Sequence, residues 1–355
     1  MDHGPTSESL RFASRGLRSV TGRLRTVGSR IASDMWMLFG LAAVASSCVV
    51  PESGGAGDPS ELPPSVRRAF EGAETDFQAG RLERALEGYR RVLASAPDHV
   101  PTHRRYQDAM IEAGRSDEVR ERYRIRFRER GQAVDWLLFG RLEDNPTIRK
   151  VRFERALELD PDFGWARYAY GLHLRESGEP LILALEQQER ALETLGQRPE
   201  VLRERADLLR DLRRFDEAIE AYESFLAVVP GDRYARECIA GCRLRSGDRD
   251  GARDAYRALL DERPTDVRSL LGLASIDILD RRPRRALDHL ERARSLQPEE
   301  PEVVYNMAVV YERLLGDPRR ALELYQEYLD RNGDRVFRTR LRVRRLSRKL
   351  EESGS

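Results

Sequence analysis

Two pairs of residues have a spacing that could support chemistry. His99 and His103 stand four apart, a separation seen in zinc sites. Pro101 lies between them and no third ligand is evident, so a loop is expected there rather than a metal centre. Cys238 and Cys242, also four apart, would share one face of a helix. Two thiols without further ligands make a poor metal site, and buried cysteines are common. The only other cysteine is Cys48, and an odd count at these spacings is no disulfide framework. Neither Lys150 nor Lys349 follows a glycine, which excludes a phosphate-cradling GK loop. The run Gly54-Gly55-Ala56-Gly57 has no strand or helix pattern around it and is no dinucleotide loop. HExxH and GxSxG are absent, and no carboxylate pair stands out. The reading is of a chain that is not an enzyme, with no cofactor, no metal and no small-molecule substrate.

The composition points the same way. The 355 residues are 40% apolar, enough for a core, and carry a formal charge of +1 from 62 basic and 61 acidic residues. That balance gives no reason to expect a nucleic-acid partner. All but two of the basic residues are arginine, spread evenly rather than gathered in one patch.

The elements that would position any site are helical and repeated. Ala218, Ala252 and Ala286 are 34 apart, and so are Pro230, Pro264 and Pro298. Ala206, Ala240 and Ala274 precede the alanines by twelve, and Tyr222, Tyr256 and Leu290 follow them by four. Small residues let two antiparallel helices approach, the large residue fills the gap toward the next pair, and the proline ends the second helix. This period and these positions resemble the tetratricopeptide repeat. Eight units follow: 66–99, 100–131, 132–163, 164–198, 199–232, 233–266, 267–300 and 301–333. Units two and three are eroded: Val119 replaces the alanine of the second, and the third is a few residues short. The fourth and eighth carry an extra turn residue. Residues 334–350 form a last helix, with eight positive charges and no acid between Arg335 and Lys349. It reads as a cap, or alternatively as a dock for an acidic partner or anionic lipid.

The resemblance implies an all-α fold, a right-handed α-solenoid with a C-terminal capping helix, whose first helices line a concave groove. Carried onto this sequence, the groove positions include Tyr234, Glu237, Leu244, Arg268, Leu271, Ile278, Tyr305 and Val309. It is charged near the fifth unit and more apolar over the sixth to eighth. It would take other proteins or peptides as partners, although some apolar positions could instead pack against the next repeat.

The amino-terminal residues have another character. Residues 9–33 hold six arginines and no acid, with apolar residues at helical spacing. Residues 35–47 form an apolar run of 13, short for a spanning helix and suited to a signal core. Ala45-Ser46-Ser47-Cys48 resembles the lipobox of bacterial lipoproteins, in which the cysteine becomes the lipidated first residue; Ala45 stands where that family usually has Leu. An uncleaved anchor is the alternative. Residues 49–64, rich in Gly, Pro and Ser, read as a flexible tether. The domain organisation expected is therefore a basic and apolar segment over 1–48, a linker over 49–64, the repeat array over 65–333, and a basic cap and tail over 334–355. The expected function is a membrane-tethered interaction scaffold in the bacterial cell envelope; the alternatives are a cytoplasmic adaptor or a regulatory arm for an enzyme on a separate chain.

Overall fold

The computed structural model describes residues 62–331 and 335–353. The basic segment, the apolar run, Cys48 and most of the linker lie outside the described residues.

The described chain is all-helical and forms eight antiparallel pairs and a last helix. The pairs are α1 (Pro64–Gln78) with α2 (Leu82–Ser95), α3 (Val100–Glu112) with α4 (Ser116–Arg130), α5 (Ala133–Gly140) with α6 (Pro146–Leu159), and α7 (Gly164–Glu176) with α8 (Leu181–Leu195). There follow α9 (Pro199–Asp211) with α10 (Phe215–Val228), α11 (Arg233–Ser246) with α12 (Arg249–Glu262), α13 (Val267–Leu279) with α14 (Pro283–Leu296), and α15 (Pro301–Val310) with α16 (Pro318–Asp330). The last helix is α17 (Val336–Ser353). Each helix packs on the one before and the one after, so the core runs along the array as a solenoid. No described helix is long and apolar enough to cross a membrane.

Local signals set the helix ends. Asp232, Asp248, Asp266 and Asp317 cap their helices by accepting from a backbone N–H three residues on. Proline occupies the first turn of α1, α3, α6, α9, α14, α15 and α16, where its missing N–H costs nothing. In seven of the eight pairs the inner turn holds one residue in the left-handed region; the third pair turns without one. Glycine supplies it at Gly80, Gly114, Gly178, Gly247 and Gly316, but Arg213 (φ 64°) and Arg281 (φ 56°) take the same place in units five and seven.

Close packing follows the small–large pattern. Ala206, Ala218, Ala240, Ala252, Ala274 and Ala286 are fully buried. A Cβ on Gly272 would collide with the Tyr256 ring, so the sixth unit's tyrosine lies directly on the first helix of the seventh.

Two local expectations change. His99 and His103 are not in a loop: His99 is the N-cap of α3, and Pro101 sits in its first turn, where a helix tolerates proline. The extra residue of the eighth unit does not lengthen a turn. It is absorbed as a single π-helical turn, Tyr311–Leu315, which continues α15 and ends at left-handed Gly316.

Candidate interaction groove

The first helices of the pairs carry the groove positions, and their side chains divide into three stretches. The first spans units two to five. Arg104 on α3 pairs with Glu200 on α9 at 3.5 Å, both side chains nearly buried. The Arg104 guanidinium lies over Trp165 at 5.1 Å and Tyr168 at 5.0 Å from the ring centroids, both on α7. Arg198 approaches the same Trp165 ring at 5.9 Å. The second, fourth and fifth units are thus tied together by one cation–π and ion-pair cluster. Burial raises the Glu200 carboxyl above its ordinary value, although Arg104 opposes this. Both stand at groove positions of their units, Arg104 fifth in 100–131 and Glu200 second in 199–232, but the sequence gave no sign that they would pair across three units.

The charged stretch of unit five neutralises itself. Tyr222 donates to Asp207 at 2.5 Å and Tyr234 to the same oxygen at 3.0 Å. Arg210 pairs with Asp207 at 2.9 Å and Asp211 at 3.0 Å, and donates to the Tyr234 hydroxyl at 2.7 Å and to Cys238 Sγ at 3.2 Å. Arg175 from the fourth unit reaches Glu204 at 3.1 Å and Asp211 at 2.8 Å. Burial raises the Glu204 carboxyl and the Cys238 thiol and pushes the Cys242 thiol up to about 12. Both cysteines therefore stay protonated near neutral pH, the opposite of an activated nucleophile.

The eighth unit is covered by the chain's own last helix. Arg335 pairs with Glu302 at 3.2 Å, and Arg342 and Arg345 pair with Glu312 at 2.9 and 2.5 Å. Arg335 and Arg342 lie over the Tyr305 ring, at 4.7 and 5.8 Å from its centroid. Tyr305 is buried and packs on Tyr325 and Tyr328.

Between these stretches lies the surface of units six and seven. Tyr234, Glu237 and Leu271 are partly exposed and Arg268 is exposed, with Arg268 pairing across the two units to Glu237 at 3.3 Å. Leu244, Ile278 and Val309 are buried, as Tyr305 is. Half of the eight sequence-assigned groove residues therefore form packing beneath the surface; the other four keep some exposure, with the Tyr234 hydroxyl bonded to Asp207 and Arg210 and Glu237 paired to Arg233 and Arg268. The reason is geometric: each first helix contacts both neighbours, so apolar positions near the groove edge are taken by the next repeat.

A stack of helical hairpins, each packed on the one before and the one after, is an α-solenoid. Residues 203–276 and 280–336 match the tetratricopeptide repeat family. Such arrays are protein-interaction scaffolds and generally non-catalytic. Cellulose synthase operon protein C of Pseudomonas fluorescens (strain SBW25) is 30% identical over 124 residues, which are 35% of this chain. The match spans only 10% of that relative's length. Among solved structures, a chain of the APC/C hetero-tetramer Cut9–Hcn1 superposes with a TM-score of 0.55 at 17% identity, over 81% of this chain and 57% of that one. That likeness supports the fold. A tetratricopeptide repeat protein from Parabacteroides merdae matches with a TM-score of 0.47 at 14% identity, over 80% of this chain and 100% of that one.

Proposed function

We propose that this chain is a non-catalytic scaffold, tethered to a membrane of the bacterial cell envelope through a lipidated Cys48, that holds a partner peptide along the concave face of units six and seven. One observation supports the groove: Arg268 and Leu271 on α13 keep exposure beside Glu237 on α11, to which Arg268 pairs across the two units, while positions in units five and eight are taken up by buried or internally paired side chains. An extended or helical segment with an apolar anchor beside Leu271 and a charge opposite Arg268 or Glu237 suits that surface. The match to a protein named for a cellulose synthase operon is in keeping with a place in a multi-component assembly. The tether rests on the lipobox-like residues before Cys48 and the linker after it.

Site-specific photo-crosslinking in the native host tests the groove. A crosslinker at Leu271 is expected to trap a discrete partner, and one at the exposed Ile182 on α8 is not. Identical products from both positions would refute the assignment. Mass spectrometry of the native amino terminus tests the tether separately: a diacylated cysteine is expected, and a mature chain that retains Met1 rules it out.

A further inference from the structure

The last described helix has two unlike faces. Its inner face is fixed to the array: Thr339 and Leu346 are buried, Arg342 donates to the Tyr325 hydroxyl at 2.8 Å, and Arg335, Arg342 and Arg345 pair with Glu302 and Glu312. These contacts use three of the eight cations between Arg335 and Lys349. The other five, Arg338, Arg340, Arg344, Arg348 and Lys349, are exposed and have no ion pair within the described residues.

The outward face is not simply charged. Phe337 is 75% exposed and Leu341 50% exposed, one turn apart, and Arg344 and Arg348 continue the same stripe down the helix. Arg338 and Arg340 flank it. Phe337 is the most exposed of the large apolar side chains among the described residues, and with Leu341 and the unpaired cations it makes this face amphipathic.

We infer that this outward face of α17 docks on an anionic lipid surface. Phe337 and Leu341 would enter the headgroup–acyl boundary, while the arginines lay their apolar stems along it and keep their guanidinium groups among the phosphates. An acidic protein could satisfy the charge, but would need a cleft to receive two projecting apolar side chains. A lipid surface needs none, because it deforms around them. Guanidinium groups stay charged across the physiological range, so the contact depends on salt rather than pH. It uses residues remote in sequence from Cys48 and does not require the tether.

The test uses the full chain carrying Cys48→Ser, so that no acyl anchor contributes. Phe337→Trp in that chain is mixed with phosphatidylcholine vesicles, with or without phosphatidylglycerol, whose acyl chains are brominated. Quenching beyond that of the parent's own tryptophans is expected with the anionic vesicles only, and is expected to vanish at about 0.5 M salt. The triple variant Arg340→Gln, Arg344→Gln, Arg348→Gln leaves every internal pair in place. It is expected to lower affinity for anionic vesicles by at least about tenfold, with unchanged helix content. No added quenching at Phe337→Trp, or a triple variant that binds like its parent, overturns the inference. So does competition by an acidic peptide or a nucleic acid for this face when the vesicles themselves do not bind it. Crosslinking at Leu271 is scored independently, so failure here leaves the groove reading untouched.

Discussion

Units five to seven and units two and three are made from the same helical hairpin, yet the share of apolar packing at their junctions differs. In the regular units small residues meet large ones: Tyr256 covers Gly272, and the repeat alanines are fully buried. In the eroded units α4 buries only Val119 and Tyr123. Polar side chains make up the difference. Gln107 donates to the Leu138 carbonyl at 2.8 Å and accepts from Arg141 at 3.0 Å. His103 accepts at Nδ1 from the Tyr123 hydroxyl at 2.6 Å and donates from Nε2 to the Pro97 carbonyl at 2.8 Å, which fixes its neutral tautomer. Asp135 is fully buried between Arg126, at 2.7 Å, and Arg130, at 3.7 Å. Apolar packing is non-directional and tolerates repetition of one pattern. Buried polar groups need particular partners, so each such junction becomes individual and departs from the consensus.

The difference can be broken from either side. The largest effect is expected from Tyr256→Ala, which opens a cavity over Gly272 and should cost about 3 kcal/mol. Hydrogen exchange should show the loss in α12 and α13, with α3 to α5 unaffected. Asp135→Asn should cost about 2 kcal/mol by removing the buried carboxylate and leaving Arg126 and Arg130 with only the half-exposed Asp98, with the loss confined to α4 and α5. Equal loosening of units five to seven in that variant would show that the two regions are not energetically distinct.

Acid should separate them as well. Burial, with Arg198 nearby in the case of His99, holds both His99 and His103 down to about 4 from an ordinary 6.5. The folded state prefers the neutral rings, so their contribution is complete above the unfolded value and is lost as pH falls from about 6.5 through about 4. Exchange at pH 7, 5 and 4 should show progressive opening around α3 and α4. His103→Gln should flatten that profile. The smallest effect is expected at the turns. Arg213→Gly and Arg281→Gly relieve a left-handed arginine at the cost of a more flexible unfolded chain, and a net gain of about 0.5 kcal/mol each is expected in denaturant midpoints.

Legibility follows the same division. Units five to eight could be read from alanines, tyrosines and prolines at fixed separation, and the family match covers that stretch. The two left-handed arginines also had a signal, since Gly80 and Gly114, and again Gly178 and Gly247, mark the column in which Arg213 and Arg281 stand. The groove was legible only in part. Position numbers identified Tyr234, Glu237, Arg268 and Leu271, but gave no way to know that Leu244, Ile278, Tyr305 and Val309 would be buried. Whether a side chain at a groove edge is open depends on its neighbours in the next repeat, which the position within one repeat does not encode.

What the sequence determined by itself is the repeat: a period of 34 with small and large residues in phase leaves helical hairpins as the economical way to bury them. What only the tertiary structure decided is where that repeat remains open. The Arg104–Glu200 pair joins the second unit to the fifth, Arg335 reaches Glu302, and α17 turns Arg342 and Arg345 onto Glu312. All are contacts between residues far apart in the chain. They arise because stacking brings helices that are not neighbours in the chain within reach, which the positions within one repeat do not encode.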